Sequence, residues 1–165
     1  ADTQKPKVIL HPGTSRFAAF KRWPIQNFVE LARRLRSQQI SVAMSYGPGE
    51  IELFRTAKAA VPDLIEIDGP SLGLLGLGQA MRQADVVVAA DTGPLHIAAG
   101  VGTRVVALFG PKDSKLYGPR GEGHLVLQHD VPCRPCKLRT CPSPQCVLGI
   151  QVQQVEHAVG ELTQG

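Results

Sequence analysis

The strongest constraint on the fold is the alternation of short, wholly apolar runs with segments of helical periodicity. Runs such as Val8-Ile9-Leu10 and Val86-Val87-Val88 contain no polar residue, which is typical of parallel strands that are covered on both faces. Between such runs, apolar residues recur at helical intervals, as in residues 24–36. The alternation predicts an α/β fold, a Rossmann-like three-layer sandwich with a mostly parallel sheet.

The predicted elements span most of the chain. Strands are predicted at residues 7–10, 41–45, 64–67, 85–90, 104–109 and 125–128. Helices are predicted at residues 24–36, 50–60, 72–83, 95–99 and 152–162. The polar opening, residues 1–7, is predicted to be a linker or a cloning remnant, and residues 8–165 a single domain.

Composition excludes several classes of protein. Of the 165 residues, 43% are hydrophobic and 19% charged, which is typical of a globular chain and not of a disordered one. No apolar run is long enough to cross a membrane. The net charge of +4 suits a phosphate-bearing ligand, but with 5% aromatic residues to stack on bases we do not expect nucleic acid as a partner.

Four Gly/Pro turns follow predicted strands, at residues 11–15, 46–50, 91–96 and 109–113. Ligands of open parallel sheets bind at the carboxyl ends of the strands, where these turns lie. A single turn of this kind needs no ligand to explain it, because turns favour glycine and proline. Four such turns with polar side chains on one edge favour a binding cleft.

The turn at residues 91–96 is typical of a phosphate site. Pro94 fits the first turn of a helix, which places Thr92 or Gly93 at the N-cap, and the free amide groups there attract anions. Thr92 and His96 could donate hydrogen bonds to the same phosphate. A structural histidine, and an Asp91 carboxylate that only stabilises the turn, remain alternatives.

Thr14, Ser15, Lys21 and Arg22 could supply the other half of a diphosphate site, through hydroxyl groups and a flexible cation. Lys21 and Arg22 could equally be solvated loop residues. The sequence contains no P-loop, no dinucleotide-binding G-x-G-x-x-G after the first strand, no G-x-S-x-G and no H-E-x-x-H. These absences argue against an NAD enzyme and a self-contained hydrolase.

All the cysteines of the chain lie in one Cys/Pro-rich loop, residues 130–149, with the pattern C-x2-C-x4-C-x4-C. Four thiolates suit a structural Zn²⁺ or an iron–sulfur cluster. Two disulfides or four free thiols remain alternatives, and His129 is a possible extra ligand. The predicted metal ligands are Cys133, Cys136, Cys141 and Cys146.

The strings HPG-TS, KRWP, YGPGE, ADTGPLHIAAG and LFGP resemble, in order and spacing, the C-terminal half of glycosyltransferase family 9, the ADP-heptose:lipopolysaccharide heptosyltransferases. The resemblance implies the C-terminal half of a GT-B fold, which binds the nucleotide-sugar donor. It also implies that an N-terminal half, absent here, binds the lipopolysaccharide inner-core acceptor. The implied transfer is inverting and needs no metal, and the parent enzyme is expected in the bacterial cytoplasm, peripheral at the inner membrane.

The resemblance also implies roles for single residues. Lys21 and His96 would stabilise the leaving group, while the catalytic base would belong to the missing half. Either Glu50 or Glu52 would hold the nucleoside, and the sequence does not choose between them. The residues implied to bind the donor are Thr14, Ser15, Lys21, Glu50, Glu52, Asp91, Thr92, Gly93 and His96.

Two other functions fit parts of the sequence. One is a non-enzymatic, Cys-rich metal-binding interaction module, which metal-dependent folding without nucleotide binding would support. The other is half of a GT-B nucleotide-sugar epimerase, which a preference for UDP would support.

Overall fold

A computed structural model describes residues 5–138 and 140–164 of the chain. Its strands form one six-stranded sheet in the order β3-β2-β1-β4-β5-β6, and every neighbouring pair is parallel. The strands are β1 (Val8–His11), β2 (Val42–Tyr46), β3 (Ile65–Asp68), β4 (Val86–Ala90), β5 (Arg104–Phe109) and β6 (Leu125–Gln128).

Every predicted helix is present, with bounds that differ from the prediction by three residues or fewer. The helices are α1 (Ile25–Ser37), α2 (Ile51–Ala60), α3 (Gly69–Arg82), α4 (Gly93–Gly100), α5 (Ser114–Tyr117), α6 (Gln145–Leu148) and α7 (Val152–Gln164). A 3-10 helix, Arg16–Lys21, precedes α1. The sequence did not predict this 3-10 helix, α5 or α6, because four to six residues are too few to show a helical period.

The sheet is buried on both faces, as the apolar strands predicted. Successive residues of a strand point to opposite faces, so Leu10 packs with Phe28 of α1 in one core cluster, together with residues of α2 and α7. Its neighbour Ile9 packs on the other face with Leu77 and Leu95, from α3 and α4. Full burial of each such side chain stabilises the fold by about 1.5–3 kcal/mol. The prediction of a Rossmann-like α/β sandwich is confirmed.

The strand order places a crevice at the centre of the sheet. From β1 the chain moves outward to β2 and β3, then crosses back to β4 on the other side of β1 and continues to β5 and β6. Helices therefore leave β1 and β4 towards opposite faces. Their connecting turns separate at the carboxyl ends of the two strands, which is where open α/β sheets bind ligands.

The first described residues already join the sheet. The Lys7 amide donates to the Ser41 carbonyl at 3.0 Å, and the Asp85 amide donates to the Lys7 carbonyl at 2.9 Å. The remainder of the predicted linker, residues 1–4, lies outside the described residues. Among residues 5–138 and 140–164 every helix is too short or too polar to cross a lipid bilayer.

Candidate functional site

A cavity of about 620 Å³ opens at the carboxyl ends of β1, β2 and β4. Two of the residues predicted to bind the donor, Glu52 and His96, do not line it, although His96 lies beside Asp91 at its edge. The geometry brings the others together, and their roles in binding stay predictions. The predicted residues that line the cavity are Thr14, Ser15, Lys21, Glu50, Asp91, Thr92 and Gly93.

One side of the cavity begins with a buried histidine. His11 ends β1, is 3% exposed, and its Nδ1 lies 2.8 Å from Ser45 Oγ on β2. Burial lowers the pKa of His11 from 6.5 to about 4, because the apolar surroundings disfavour the imidazolium. His11 is therefore neutral at pH 7. The sequence placed this residue at a strand end but did not identify it as part of the site.

On the same side of the cavity, Arg22 links Thr14 to Glu50. Its Nε donates to Thr14 Oγ1 at 3.0 Å, and its Nη2 donates to the Thr14 carbonyl at 3.1 Å and to Glu50 Oε1 at 3.3 Å. The Thr14 hydroxyl donates its hydrogen to the Ala18 carbonyl at 3.0 Å. The predicted hydrogen bond from Thr14 to a diphosphate would therefore have to replace one within the protein.

Glu50 and Glu52, which the sequence could not separate, occupy different environments. Glu50 Oε2 accepts a hydrogen bond from the Gly47 amide at 2.9 Å, and its side chain is 12% exposed. Gly13 lies so close that a Cβ atom there would sit 1.9 Å from Glu50 Oε2, so a larger residue at position 13 would displace the Glu50 carboxylate. Glu52 pairs with Arg55, and its side chain is 74% exposed. Of these two residues, Glu50 lines the cavity and Glu52 does not.

These residues share one property: their polar side chains are hydrogen-bonded to one another or to the main chain. We call this side of the cavity the hydrogen-bonded wall. His11, Thr14 and Glu50 line the cavity, and Ser45 and Arg22 are hydrogen-bonded to them.

The opposite side is built on the first turn of α4. Thr92 is the N-cap residue in an extended conformation, and its side chain does not cap the helix but lies 3.3 Å from the Ala90 carbonyl. Thr92, Gly93 and Pro94 line the cavity. The amide groups of the first turn therefore have no side-chain partner and favour an anion there.

Asp91 lies beside this helix end in an unusual state. Its side chain is 12% exposed, and Oδ2 is buried without a hydrogen bond. Lys112 Nζ lies 3.8 Å from Oδ2, and His96 Nε2 lies 3.6 Å from Oδ1. Asp91 Oδ2 is therefore near a cation without accepting a hydrogen bond, whereas both carboxylate oxygens of Glu50 accept one. Lys112 belongs to a turn that the sequence identified, but was not itself predicted as a site residue.

Lys21 completes this side. Burial lowers its pKa, the nearby Lys112 ammonium lowers it further, and the Asp91 carboxylate partly opposes both. Positive charge is therefore concentrated here beyond what Asp91 neutralises. We call this side the cationic wall; Lys21, Asp91 and Thr92 line the cavity, and His96 and Lys112 stand beside Asp91.

Between the two walls, the start of α3 contributes an apolar face that the sequence analysis missed. Pro70, Gly73, Leu74 and Leu77 line the cavity. The helix bends at Gly73, whose φ of 69° favours glycine. The signal was present, since Gly69-Pro70 forms a fifth Gly/Pro turn at the end of β3. An apolar face of this kind suits a planar ring.

The four cysteines are free and border one mainly apolar cavity of about 270 Å³, so the alternative of two disulfides is not the one found. Burial raises the pKa of the Cys146 thiol, and the Arg134 guanidinium partly opposes this. Among the described residues, no three His, Cys, Asp or Glu side chains converge to hold a metal ion. His129 does not line this cavity. The structural Zn²⁺ stays a prediction.

Comparison with known proteins identifies the family of this chain. The sequence model of glycosyltransferase family 9 (heptosyltransferase) matches residues 1–147. The chain belongs to glycosyltransferase family 9. Among family 9 relatives, lipopolysaccharide heptosyltransferase 1 of Pseudomonas aeruginosa is 32% identical over 142 residues, which cover 86% of this chain and 39% of the relative. The chain spans about half, or less, of the length of the curated relatives it matches.

Solved structures of family 9 members have the same fold. The ADP-heptose lipopolysaccharide heptosyltransferase II of E. coli superposes with a TM-score of 0.83 at 21% identity, over 98% of this chain and 47% of that one. E. coli heptosyltransferase WaaC with ADP gives a TM-score of 0.76 at 22% identity, over 96% of this chain and 45% of that one. This likeness confirms the predicted fold, that of one half of a GT-B enzyme.

Proposed function

We propose that this family 9 chain is the C-terminal, donor-binding half of a heptosyltransferase, and that its cavity binds ADP-heptose or a related nucleotide sugar. The observation that carries the proposal is the cationic wall, where an uncapped helix N-terminus and Lys21 face the same cavity. A diphosphate supplies the negative charge that such a wall stabilises.

The remaining surfaces of the cavity fit a nucleoside. The apolar face at Leu74 and Leu77 suits a nucleobase, and the Glu50 carboxylate can accept hydrogen bonds from ribose hydroxyl groups. Arg22 and the Gly47 amide hold Glu50 in place for that role. A solved relative, heptosyltransferase WaaC, binds ADP, which supports adenosine as the nucleoside.

The proposed reaction transfers the sugar from the diphosphate to an acceptor hydroxyl. As the bond between the anomeric carbon and the phosphate oxygen breaks, its electron pair stays on that oxygen, and negative charge develops there. Lys21, the amide groups at the start of α4 and His96 stabilise this charge without a divalent cation. Attack on the face opposite the leaving group inverts the anomeric carbon.

The acceptor hydroxyl must lose a proton during this transfer. We assign the base that takes it to an N-terminal half, which also binds the lipopolysaccharide inner-core acceptor. The relatives named as lipopolysaccharide heptosyltransferases support this assignment. The same proposal places the parent enzyme in the bacterial cytoplasm, at the inner membrane.

A thermal-shift panel with ADP, GDP and UDP tests the proposal. A ligand at 100 times its dissociation constant stabilises the folded state by about 2.7 kcal/mol, and we expect ADP to give the largest shift. A preference for UDP would favour the epimerase alternative. Metal-dependent folding with no response to any nucleotide would contradict the proposal and favour the interaction module.

Glu50 and Glu52 provide a matched pair of variants for the nucleoside contact. Glu50→Gln removes the charge inside the cavity, and we expect the dissociation constant of ADP to rise about tenfold, the equivalent of one good charged hydrogen bond. Glu52→Gln makes the same chemical change on an exposed side chain and should leave ADP binding unchanged. Equal effects of the two substitutions would remove Glu50 from the proposed site.

A further inference from the structure

A second cavity, of about 670 Å³, adjoins the nucleotide cavity and shares Ser15, Ala18 and Lys21 with it. It lies between the 3-10 helix and the Cys/Pro-rich loop. The Cys136 amide fixes that loop to the end of β5 by donating to the Pro111 carbonyl at 2.9 Å. Because Lys21 lines both cavities, a molecule in the second cavity would share this lysine with a nucleotide in the first.

The second cavity is positively charged. Lys21, Lys112 and Lys137 line it, and no Asp or Glu is among the described residues of its lining. Lys112 is held in position, because its Nζ lies 4.7 Å from the centre of the Tyr117 ring and 3.8 Å from Asp91 Oδ2. Three ammonium groups around one cavity attract an anion.

Apolar side chains stand next to these lysines. Phe17, Phe20 and Leu138 line the same cavity, and Phe17 is 84% exposed and Leu138 64% exposed. Exposed large apolar side chains that line a cavity mark a binding surface. An aromatic ring beside cations suits a saccharide with an acidic group, because the CH face of a sugar ring packs on the aromatic ring while its charge reaches the ammonium groups.

We infer that the second cavity binds an anionic saccharide, which carries either a carboxylate or a phosphate, with Lys112 and Lys137 on the charge and Phe17 against the sugar ring. The inference rests on the proposed function, since a transferase must hold its acceptor next to the sugar of the donor. It gives this half of the enzyme its own contact with the acceptor, in addition to contacts from another domain.

An NMR titration of the ¹⁵N-labelled chain, saturated with ADP, tests the inference. The probes are glucuronic acid for the carboxylate, glucose 6-phosphate for the phosphate, and glucose as the neutral control. We expect at least one anionic sugar to shift the amide signals of Lys112, Lys137 and Leu138, and to bind about tenfold more tightly than glucose. Comparison of the two anionic probes identifies the preferred acidic group.

Two variants locate the binding. Lys137→Ala removes a lysine that lines only the second cavity, and it should weaken the anionic sugar about fivefold while the affinity for ADP is unchanged. Lys115→Ala, an exposed lysine outside both linings, is the matched control and should change neither. Equal effects of the two variants, or displacement of ADP by the anionic sugar, would overturn the inference.

The titration is repeated without ADP, so that failure of the proposed function can be distinguished from failure of the second site. Failure of ADP to bind contradicts the proposed function. Failure of both anionic sugars to bind in either condition overturns the second site alone, as would glucose binding as tightly as they do.

Discussion

The two walls of the cavity at the carboxyl ends of β1, β2 and β4 both contain charged and hydroxyl side chains, but they differ in how these are hydrogen-bonded. In the hydrogen-bonded wall, Arg22 joins Thr14 to Glu50 through hydrogen bonds of 3.0–3.3 Å. In the cationic wall, Asp91 Oδ2 is buried with no hydrogen bond, and Lys112 Nζ lies 3.8 Å from it. One wall satisfies its polar groups within the protein, whereas the other does not.

Because of this difference, we expect the hydrogen-bonded wall to contribute mainly to stability and the cationic wall mainly to binding. Buried polar groups are nearly always hydrogen-bonded in folded proteins, so an unbonded carboxylate beside two lysines marks a place where the fold forgoes stability. Interactions left open towards a cavity are free to act on a ligand. We therefore expect substitution of Arg22 or His11 in the hydrogen-bonded wall to change the free energy of unfolding, and substitution of Lys21 in the cationic wall to lower ligand affinity.

The largest expected effect is a loss of folding stability in acid, caused by His11 of the hydrogen-bonded wall. Its pKa is about 4 in the folded chain and 6.5 as the reference value. Between these values only the unfolded state gains a proton, so stability is complete above pH 6.5 and falls as the pH decreases towards 4. The full loss from this group is about 3 kcal/mol.

Urea unfolding at a series of pH values, with NMR titration of the His11 imidazole, measures this effect. His11→Asn should flatten the dependence of stability on pH between 4 and 6.5. His157→Gln, which changes a side chain 79% exposed, should leave it as it is. An unchanged acid slope in His11→Asn would show that this histidine is not the source.

The next effect separates two arginines. Arg22→Ala leaves the Glu50 carboxylate, 12% exposed, without its cation, and we expect the free energy of unfolding to fall by about 2 kcal/mol. Arg55→Ala breaks only the exposed pair with Glu52 and should cost less than about 0.5 kcal/mol. Chemical denaturation compares the two, and losses of equal size would mean that the hydrogen-bonded wall does not stabilise the fold.

How much of these walls the sequence predicts depends on how far apart in the chain the contacting residues lie. The strands and long helices were predicted because their apolar periodicity is local, and the turns after β1 and β4 followed from strand direction. The bond between His11 and Ser45, and that between Arg22 and Glu50, join residues 34 and 28 positions apart. No local pattern encodes such pairs, so the sequence could not choose Glu50 over Glu52.

The cationic wall shows the same limit. Asp91, Thr92 and His96 were identified from one short motif, since a single helix end presents them. Lys112 follows a different strand, β5, and meets Asp91 only in the folded chain. The apolar face of α3 was missed because its glycines weakened the helical prediction, although Gly73 bends the helix there.

A smaller effect is expected from Asp91→Asn in the cationic wall. The substitution keeps the shape of the side chain and removes a carboxylate whose buried Oδ2 accepts no hydrogen bond. We expect the free energy of unfolding to change by less than about 0.5 kcal/mol. The pKa of Lys21 should fall further, because the Asp91 charge raises it. An NMR titration of Lys21 checks this direction, and a rise in its pKa would contradict the assigned charge balance.

The smallest effect on the cavity is expected from the proposed zinc site. Zn²⁺ added to the metal-free chain should protect all four thiols from a thiol reagent, and Cys133→Ser should end that protection. Because the cysteines do not line the cavity proposed to bind ADP, removal of zinc with a chelator should change the affinity for ADP by less than about twofold. Thiols that react equally with and without zinc would refute the metal site.

The most direct test compares ADP with adenosine by isothermal titration calorimetry, because the two ligands differ only in the diphosphate. If the cationic wall holds a diphosphate, ADP binds at least about tenfold more tightly than adenosine, and Lys21→Ala removes most of that difference without lowering the free energy of unfolding. Equal affinities for ADP and adenosine, or a Lys21→Ala chain that keeps the full preference for ADP, would contradict this account of the cavity.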